Sequence, residues 1–242
     1  MTPTVKPPIL IVLHQEHSTP GRVGLRLQAR GHTLDIRRPR FGDPLPATLA
    51  EHAGAVVFGG PMSANDSEDY IRRETEWMEV PLAENAPFLG LCLGAQLLAR
   101  HLGAAVRPDA HGRVEIGYYG IAPTEAGHRL MGWPDRVHQF HREGFDLPAG
   151  ATLLATGEVF PNQAFAYGVS VFAIQFHIEL TMAMVGGWTG RIGERAKLPG
   201  AQDTAEHLAG RALHDWKTAT FLESFLDHWL ATDRRGLLSA AE

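Results

Sequence analysis

Short, continuous apolar runs that alternate with helix-like segments are the feature that most constrains the fold of this chain. The runs Ile9–Leu13, Ala55–Phe58 and Pro87–Leu91 have no polar alternation, which is typical of strands buried on both faces of a parallel sheet. Between them, helices are predicted over Pro20–Arg30 and Asp69–Glu84. Strands that alternate with helices in this way predict βαβ units and a doubly wound, mostly parallel α/β sheet.

Further elements complete this first part of the chain. A second strand is predicted at Thr33–Ile36 and, after the run at 87–91, a helix at Ala95–Leu102. The helix over 20–30 turns three apolar residues partly inward: Val23, Leu25 and Leu27.

The second half of the chain has a different pattern. From about Ala105 onward, β-rich segments separated by turn residues predict meander strands that return to the main sheet. Trp188–Asp203 is polar and contains glycine, so it is the best candidate for a linker, and Ala205–Leu230 has apolar residues at helical spacing. We therefore predict a domain over 1–190, followed over 191–242 by a linker and a C-terminal amphipathic helix.

Two roles are open for this last helix. A stripe with Trp216, Phe221, Phe225 and Trp229 most often packs on its own domain. The alternative is a dimer or partner interface, because a helix this apolar would expose a patch that favours association.

Composition narrows the class of partner. A formal net charge of -5 lacks the basic surface that nucleic acid or anionic lipid requires, so we expect a small molecule or a protein. A single cysteine makes no internal disulfide, which predicts a reducing, cytoplasmic setting. No apolar run approaches the roughly 18 residues that span a bilayer, so we expect neither a membrane span nor a signal peptide. The histidines three residues apart lack the acids or thiols of a metal site, so we expect no metal and no cofactor; they are His14 with His17 and His138 with His141.

The only cysteine, Cys92, lies in the motif GLCLG at 90–94, between a predicted strand and a predicted helix. Glycines at this spacing allow the sharp turn that presents a nucleophile at the edge of an α/β sheet. The N-terminus of the helix favours the thiolate, and the Leu93 amide would lie where a tetrahedral oxyanion forms. The alternative is a small buried side chain, which is the usual fate of a free cysteine.

A candidate base and its orienting group follow the apolar run Val171–Phe176. His177 is predicted at the carboxyl edge of the sheet, where open α/β sheets hold functional sites. Residues two apart on a strand share a face, so Glu179 could accept the other ring proton of His177. With Cys92 they would supply a nucleophile, a base and an orienting group. A strand-end histidine that pairs with an acid for solubility is the alternative.

Three motifs in this order carry a family resemblance: FGGPMS at 58–63, GLCLGAQ at 90–96 and QFHIE at 175–179. Together they resemble the class I glutamine amidotransferases, especially stand-alone members similar to the glutaminase part of GMP synthase. The resemblance implies a flavodoxin-like α/β fold. It also implies that Cys92 attacks the side-chain amide of glutamine, that His177 protonates the leaving ammonia, and that Glu179 holds the imidazole. Water would then hydrolyse a γ-glutamyl thioester.

The resemblance assigns further roles around the nucleophile. It implies that the Gly60 amide joins that of Leu93 in the oxyanion hole, with a plain turn as the alternative for Gly60. Gln96 corresponds to a position that contacts substrate glutamine, and we assign Gly59 to substrate binding as well. His141 is a candidate for the pocket wall, and structural roles stay open for both Gln96 and His141.

Two departures from the family pattern affect these expectations. Arg142 and Glu143 replace the Gly and Asp that often follow the histidine of the pocket segment. Ile178 stands where the family commonly has proline, between His177 and Glu179. Because proline fixes φ and would stiffen this turn, we expect the pair to form but to hold its orientation less firmly, with weaker activity or a partner that sets the geometry.

Three functions are consistent with these residues. The first is a glutaminase that acts on glutamine. Since no nucleotide-activating domain is recognisable, a synthase that receives ammonia is a candidate partner, and a homodimer is another. The second function is a hydrolase of γ-glutamyl peptides or conjugates. The third is a module that binds a metabolite or a partner without catalysis, against which the intact set of Cys92, His177 and Glu179 argues.

Overall fold

A computed structural model describes residues 6–232. Residues 1–5 and 233–242, at the two ends of the predicted domain arrangement, lie outside the described residues. No helix within 6–232 is long and apolar enough to cross a bilayer.

The described chain alternates strands and helices. The strands are β1 (Lys6–Val12), β2 (His32–Arg37), β3 (Gly54–Val57), β4 (Phe88–Leu91), β5 (Val106–Pro108), β6 (Glu115–Pro123), β7 (Arg136–His141), β8 (Glu143–Phe145), β9 (Thr152–Gly157), β10 (Ala164–Tyr167) and β11 (Val171–Ile174). The helices are α1 (Gly21–Ala29), α2 (Asp69–Trp77), α3 (Glu79–Ala83), α4 (Leu93–His101), α5 (Glu125–Leu130), α6 (Met182–Thr189) and α7 (Thr204–Ala231). Two short 3₁₀ helices lie at Pro39–Phe41 and Gly193–Lys197.

A single large sheet organises the molecule. Its strand order is β2-β1-β3-β4-β11-β10-β9-β6-β7, and β5 pairs with β8 in a separate small sheet. The first five strands in this order are parallel, and the remaining pairs are antiparallel. The predicted α/β fold with flanking helices and a C-terminal helix is confirmed. β11 is the predicted return to the main sheet, because it pairs in parallel with β4.

Two apolar cores cover the two faces of the sheet. On β1, Ile9 and Ile11 face the core that contains residues of α1 and α7, whereas Leu10 and Val12 face the core that contains residues of α2 and α4. This division follows from the alternation of side chains along a strand. It explains why the strands of the parallel half consist of uninterrupted apolar runs.

The structure corrects two predictions in the first half. The helix predicted over Asp69–Glu84 is two helices, α2 and α3, which meet at Met78. Pro81 accounts for the break, because proline has no N–H to donate to the carbonyl of Trp77 and its ring crowds that carbonyl. Leu25 is 62% exposed rather than inward.

The C-terminal helix α7 begins at a capping box, in which Asp203 and Glu206 each accept a hydrogen bond from the other's backbone N–H. In its second half, Phe221, Phe225 and Trp229 are buried in the core beside α1. Trp216 was predicted on the same stripe, but it is 63% exposed. The apolar face of α7 therefore begins after this residue.

The segment predicted as a linker carries more structure than expected. Helix α6 extends to Thr189, and the chain then runs beside β6, where the Val114 N–H donates to the Pro199 carbonyl at 2.8 Å. The Gln202 N–H donates to the Ile116 carbonyl, also at 2.8 Å. The boundary between the domain and the C-terminal region stays a prediction.

Candidate active site

Cys92 occupies the turn between β4 and α4. Its φ of 49° and ψ of -105° lie outside the common regions for L-residues, which is a strained geometry that only surrounding structure can maintain. The Cys92 N–H donates to the Ile174 carbonyl at 2.9 Å. A β-carbon at Gly90 would lie 2.6 Å from the Gly94 carbonyl oxygen. The turn therefore needs glycine beside the cysteine, as the motif predicted.

His177 and Glu179 form a buried pair just beyond β11. The Nδ1 atom of His177 lies 2.7 Å from Oε1 of Glu179, and the two residues are 4% and 2% exposed. The His177 N–H donates to the His138 carbonyl at 3.0 Å, and its ring packs edge-on against Trp188. Ile178, between the pair, has its side chain fully buried in the core. Packing of Ile178 thus holds the turn for which the family commonly uses proline.

Gly59 shows how closely the cysteine and the histidine approach each other. A β-carbon at Gly59 would lie 3.2 Å from Cβ of Cys92, 3.2 Å from Cε1 of His177 and 3.7 Å from the cysteine sulfur. Residues from three loops, at the carboxyl ends of three neighbouring strands, therefore meet at one point. This is the edge at which sites form in open α/β sheets.

The charge on His177 is set by its neighbours. Burial alone lowers the pKa of His177, but the charges of Glu179 and Cys92 and the hydrogen bonds with them outweigh it and raise the pKa to about 10. Within residues 6–232, the His177 Nε2 atom is buried without a hydrogen bond of normal geometry. The arrangement favours an imidazolium beside a thiolate at neutral pH.

Two backbone N–H groups border the cysteine. Leu93 is the first residue of α4, and N–H groups in the first turn of a helix have no partner within the helix. A β-carbon at Gly60 would lie 3.1 Å from Cδ2 of Leu93, so the two residues are neighbours. Their role as an oxyanion hole stays a prediction.

The two polar residues assigned to substrate contacts are engaged within the protein. Gln96 is 4% exposed, and its amide nitrogen donates to the Glu143 carbonyl at 2.8 Å and to Oε1 of Gln175 at 3.2 Å. His141 is also buried, with Nδ1 at 2.9 Å from the Glu143 carbonyl and Nε2 at 3.0 Å from Oε2 of Glu115. The Glu143 carbonyl therefore ties both residues into one polar network. Whether they also contact substrate stays a prediction.

The sequence analysis missed a histidine behind His177. The ring centroids of His138 and His177 are 6.1 Å apart, and Nε2 of His138 lies 3.1 Å from Nδ1 of His207 in α7. Burial, together with the nearby charges of His177 and His207, holds the pKa of His138 well below its ordinary value. His138 is therefore neutral while its neighbour is protonated.

A second missed pair lies on the other side of the cysteine. His14 follows β1 directly, and its imidazole contacts both the Gly59 carbonyl and Glu74 of α2. The available signal was the position of His14 at the end of an apolar strand, which places it at the functional edge of the sheet. Across residues 6–232, histidine, cysteine and acidic side chains form no group of three or more that could hold a metal ion.

Comparisons with known proteins agree with this geometry. The chain is 34% identical over 186 residues to the glutamine amidotransferase-like protein YfeJ of Salmonella typhimurium, across 73% of this chain and 77% of that protein. It is 35% identical over 144 residues to a separate subunit of the glutamine-hydrolyzing GMP synthase of Thermococcus kodakarensis, across 57% of this chain and 72% of that polypeptide.

Larger relatives and a solved structure extend the comparison. The match to the GMP synthase of Wolbachia pipientis, 29% identical, covers 55% of this chain but only 27% of that protein's length. The crystal structure of a glutamine amido transferase from Methylobacillus flagellatus superimposes with a TM-score of 0.84 at 27% identity, and the match covers 95% of this chain and 96% of that one. The family model for class-I glutamine amidotransferases matches residues 25–187, more than half of the chain. The chain therefore belongs to the class-I glutamine amidotransferase family.

Proposed function

We propose that this protein hydrolyses the side-chain amide of glutamine to glutamate and ammonia through a thioester on Cys92. One observation carries the proposal: a cysteine in a strained strand-to-helix turn lies against a histidine whose other nitrogen is held by a buried carboxylate. Nucleophile, base and orienting group in this order are the parts of a hydrolytic triad. Membership of the family supports glutamine as the substrate.

The reaction follows from the charges of these groups. The Cys92 thiolate attacks the amide carbon of the glutamine side chain, and the amide oxygen becomes an oxyanion that accepts hydrogen bonds from the Gly60 and Leu93 N–H groups. His177 then gives its Nε2 proton to the amide nitrogen, the C–N bond breaks, and ammonia leaves.

The second half-reaction returns the site to its starting state. Neutral His177 takes a proton from water, and the resulting hydroxide attacks the thioester carbon. The C–S bond breaks, glutamate leaves and the thiolate is restored beside the imidazolium. Glu179 accepts a hydrogen bond from Nδ1 throughout, so that Nε2 remains the atom that exchanges protons.

We further propose that a synthase receives the ammonia. The GMP synthase relative from Thermococcus kodakarensis is named as one subunit of a glutamine-hydrolyzing synthase, and this chain covers 72% of its length. The larger GMP synthase of Wolbachia pipientis extends well beyond the region that matches, which supports a separate acceptor protein for the present chain. A homodimer stays a prediction.

The proposal is tested by glutamate production from glutamine and from a panel of γ-glutamyl amides and peptides, with wild-type protein beside Cys92→Ala. We expect the wild type to release glutamate and ammonia in equal amounts from glutamine, and the variant to release neither. The thermal unfolding midpoint of the variant serves as the control for folding. A preference for γ-glutamyl peptides over glutamine would replace the substrate but keep the chemistry. Equal rates for both proteins on every compound would contradict the proposal.

A further inference from the structure

We propose that His14 and Glu74 are positioning residues that aim the Gly60 N–H at the developing oxyanion. This inference rests on the proposed function, because it assumes that a thiolate on Cys92 attacks an amide carbonyl. It adds to that function a buried pair that contacts neither sulfur nor imidazole among the contacts described above. The pair acts through the peptide bond that joins Gly59 to Gly60.

The pair is completely enclosed and its contacts are short. His14 is 0% exposed and Glu74 is 1% exposed. The Nε2 atom of His14 lies 2.7 Å from Oε2 of Glu74, and its Nδ1 atom lies 3.1 Å from the carbonyl oxygen of Gly59. Glu74 belongs to α2, whose other acidic residues, Asp69 and Glu76, are exposed and pair with arginine. A buried carboxylate on this helix therefore has a specific task.

The peptide bond converts an anchored carbonyl into an aimed N–H. The Gly59 carbonyl and the Gly60 N–H belong to one planar unit, and the described chain contains no cis peptide bond. In a trans peptide the C=O and N–H point in opposite directions. When His14 donates to the carbonyl from one side, the N–H must point to the other. In residues 6–232 the Gly60 N–H donates to no other group, so it is available to an oxyanion.

An anchor is needed because this peptide lies between two glycines. Glycine has more backbone freedom than any other residue, so the plane of this peptide is easily rotated. A larger residue could not supply the rigidity: a β-carbon at Gly59 would approach His177 to 3.2 Å, and one at Gly60 would lie 3.0 Å from Cβ of His14. A hydrogen bond to the carbonyl fixes the plane without a side chain, and it also polarises the N–H as a donor.

Glu74 decides which nitrogen of His14 carries the proton that matters. The Gly59 carbonyl can only accept, so Nδ1 must be protonated to bond with it. Glu74 engages Nε2, either by accepting its proton or by donating its own, and in both states Nδ1 remains a donor. Without a partner at Nε2, a neutral imidazole could place its single proton there and lose the bond to Gly59. Glu74 therefore orients the tautomer, and His14 orients the peptide.

The test uses the double variant His14→Leu with Glu74→Leu, which removes both polar groups together and leaves no unpaired buried charge. Removal of an oxyanion donor lowers kcat by about 10²–10³-fold in other hydrolases. We expect a fall of roughly 10- to 100-fold in kcat for glutamine, because the N–H is misdirected rather than absent. KM changes much less, because the ground-state amide depends little on this contact.

Alkylation of Cys92 by iodoacetamide provides the readout that a merely structural role would not leave intact. This reaction displaces iodide at a saturated carbon and develops no oxyanion, so the double variant is expected to react at the wild-type rate. Wild-type kcat in the folded variant would overturn the proposal. Parallel losses in alkylation and hydrolysis would also overturn it, because the pair would then act on the thiolate.

Two single variants decide the question if the double variant does not fold. His14→Asn keeps a donor near the Nδ1 position, whereas His14→Gln moves it to the Nε2 position, and each leaves one of the two contacts unmet. The proposal requires faster hydrolysis by the Asn variant, and equal rates would overturn it. Cys92→Ala separates this outcome from a failure of the proposed function: if that variant hydrolyses glutamine as fast as the wild type, the chemistry itself is wrong.

Discussion

Gly59→Ala is the substitution whose effect can be worked out most directly from the structure. The new methyl group would lie 3.2 Å from Cβ of Cys92 and 3.2 Å from Cε1 of His177. Carbon atoms in contact prefer a separation of about 3.5–4.0 Å. The cysteine and the histidine must therefore move apart by a few tenths of an ångström or more, along the direction that separates the nucleophile from its base.

The size of the effect follows from this displacement. A misplacement of about 1 Å at a reacting centre costs about 10²-fold in rate, so a shift near half of that is expected to lower kcat/KM by roughly tenfold. Insertion of one methyl group into a packed site costs about 1–3 kcal/mol of folding free energy. The rate should thus fall in a protein that remains folded.

The assay compares kcat/KM for glutamine and the free energy of unfolding in urea for wild type, Gly59→Ala and Gly132→Ala. Gly132 is the matched control, because a β-carbon there would have nothing within 4 Å. We expect Gly132→Ala to resemble the wild type in rate. Wild-type kcat/KM for Gly59→Ala would refute the inference that the methyl group separates Cys92 from His177.

Two further predictions concern charge and packing. Glu179→Gln removes the charge that offsets burial, so the pKa of His177 falls below about 10, and kcat/KM at neutral pH falls with it. Because the wild-type pKa of about 10 lies above the ordinary 6.5, the protonated histidine stabilises the fold fully below pH 6.5, and this contribution disappears as pH rises through 10. Urea unfolding at pH 7 and pH 10 should show a smaller difference for the variant; an equal difference would contradict this sign. Trp229→Ala, at a fully buried site, is expected to cost about 3–5 kcal/mol of unfolding free energy. Trp216→Ala, at a 63% exposed site, should change it by about 0.5 kcal/mol or less, and similar losses would contradict the assignment of the two faces of α7.

The sequence predicted the parallel half of the sheet because its strands are buried on both faces and therefore read as uninterrupted apolar runs. The turn at Cys92 was predictable for a related reason: a strand, two glycines and a helix leave few ways for the backbone to turn. The split between α2 and α3 was also within reach, since Pro81 lies inside the predicted helix. The helical period alone concealed it.

Other features depend on tertiary contacts that periodicity does not encode. Trp216 follows the helical spacing of α7, yet the first half of this helix places its polar residue His207, rather than an apolar stripe, against the site. His14 and Glu74 are sixty residues apart and meet only because β1 ends beside α2. No local signal distinguishes Glu74 from the exposed acids of the same helix.

The central claim is that Cys92 is a nucleophile aimed at a γ-glutamyl carbonyl. The most direct measurement is covalent labelling by a chloromethyl ketone analogue of glutamine, followed by peptide mass spectrometry, with and without excess glutamine. The account predicts one label per chain, located on Cys92 and suppressed by glutamine, with no label on Cys92→Ala. An unlabelled Cys92 in the folded protein, or labelling that glutamine leaves unchanged, would contradict it.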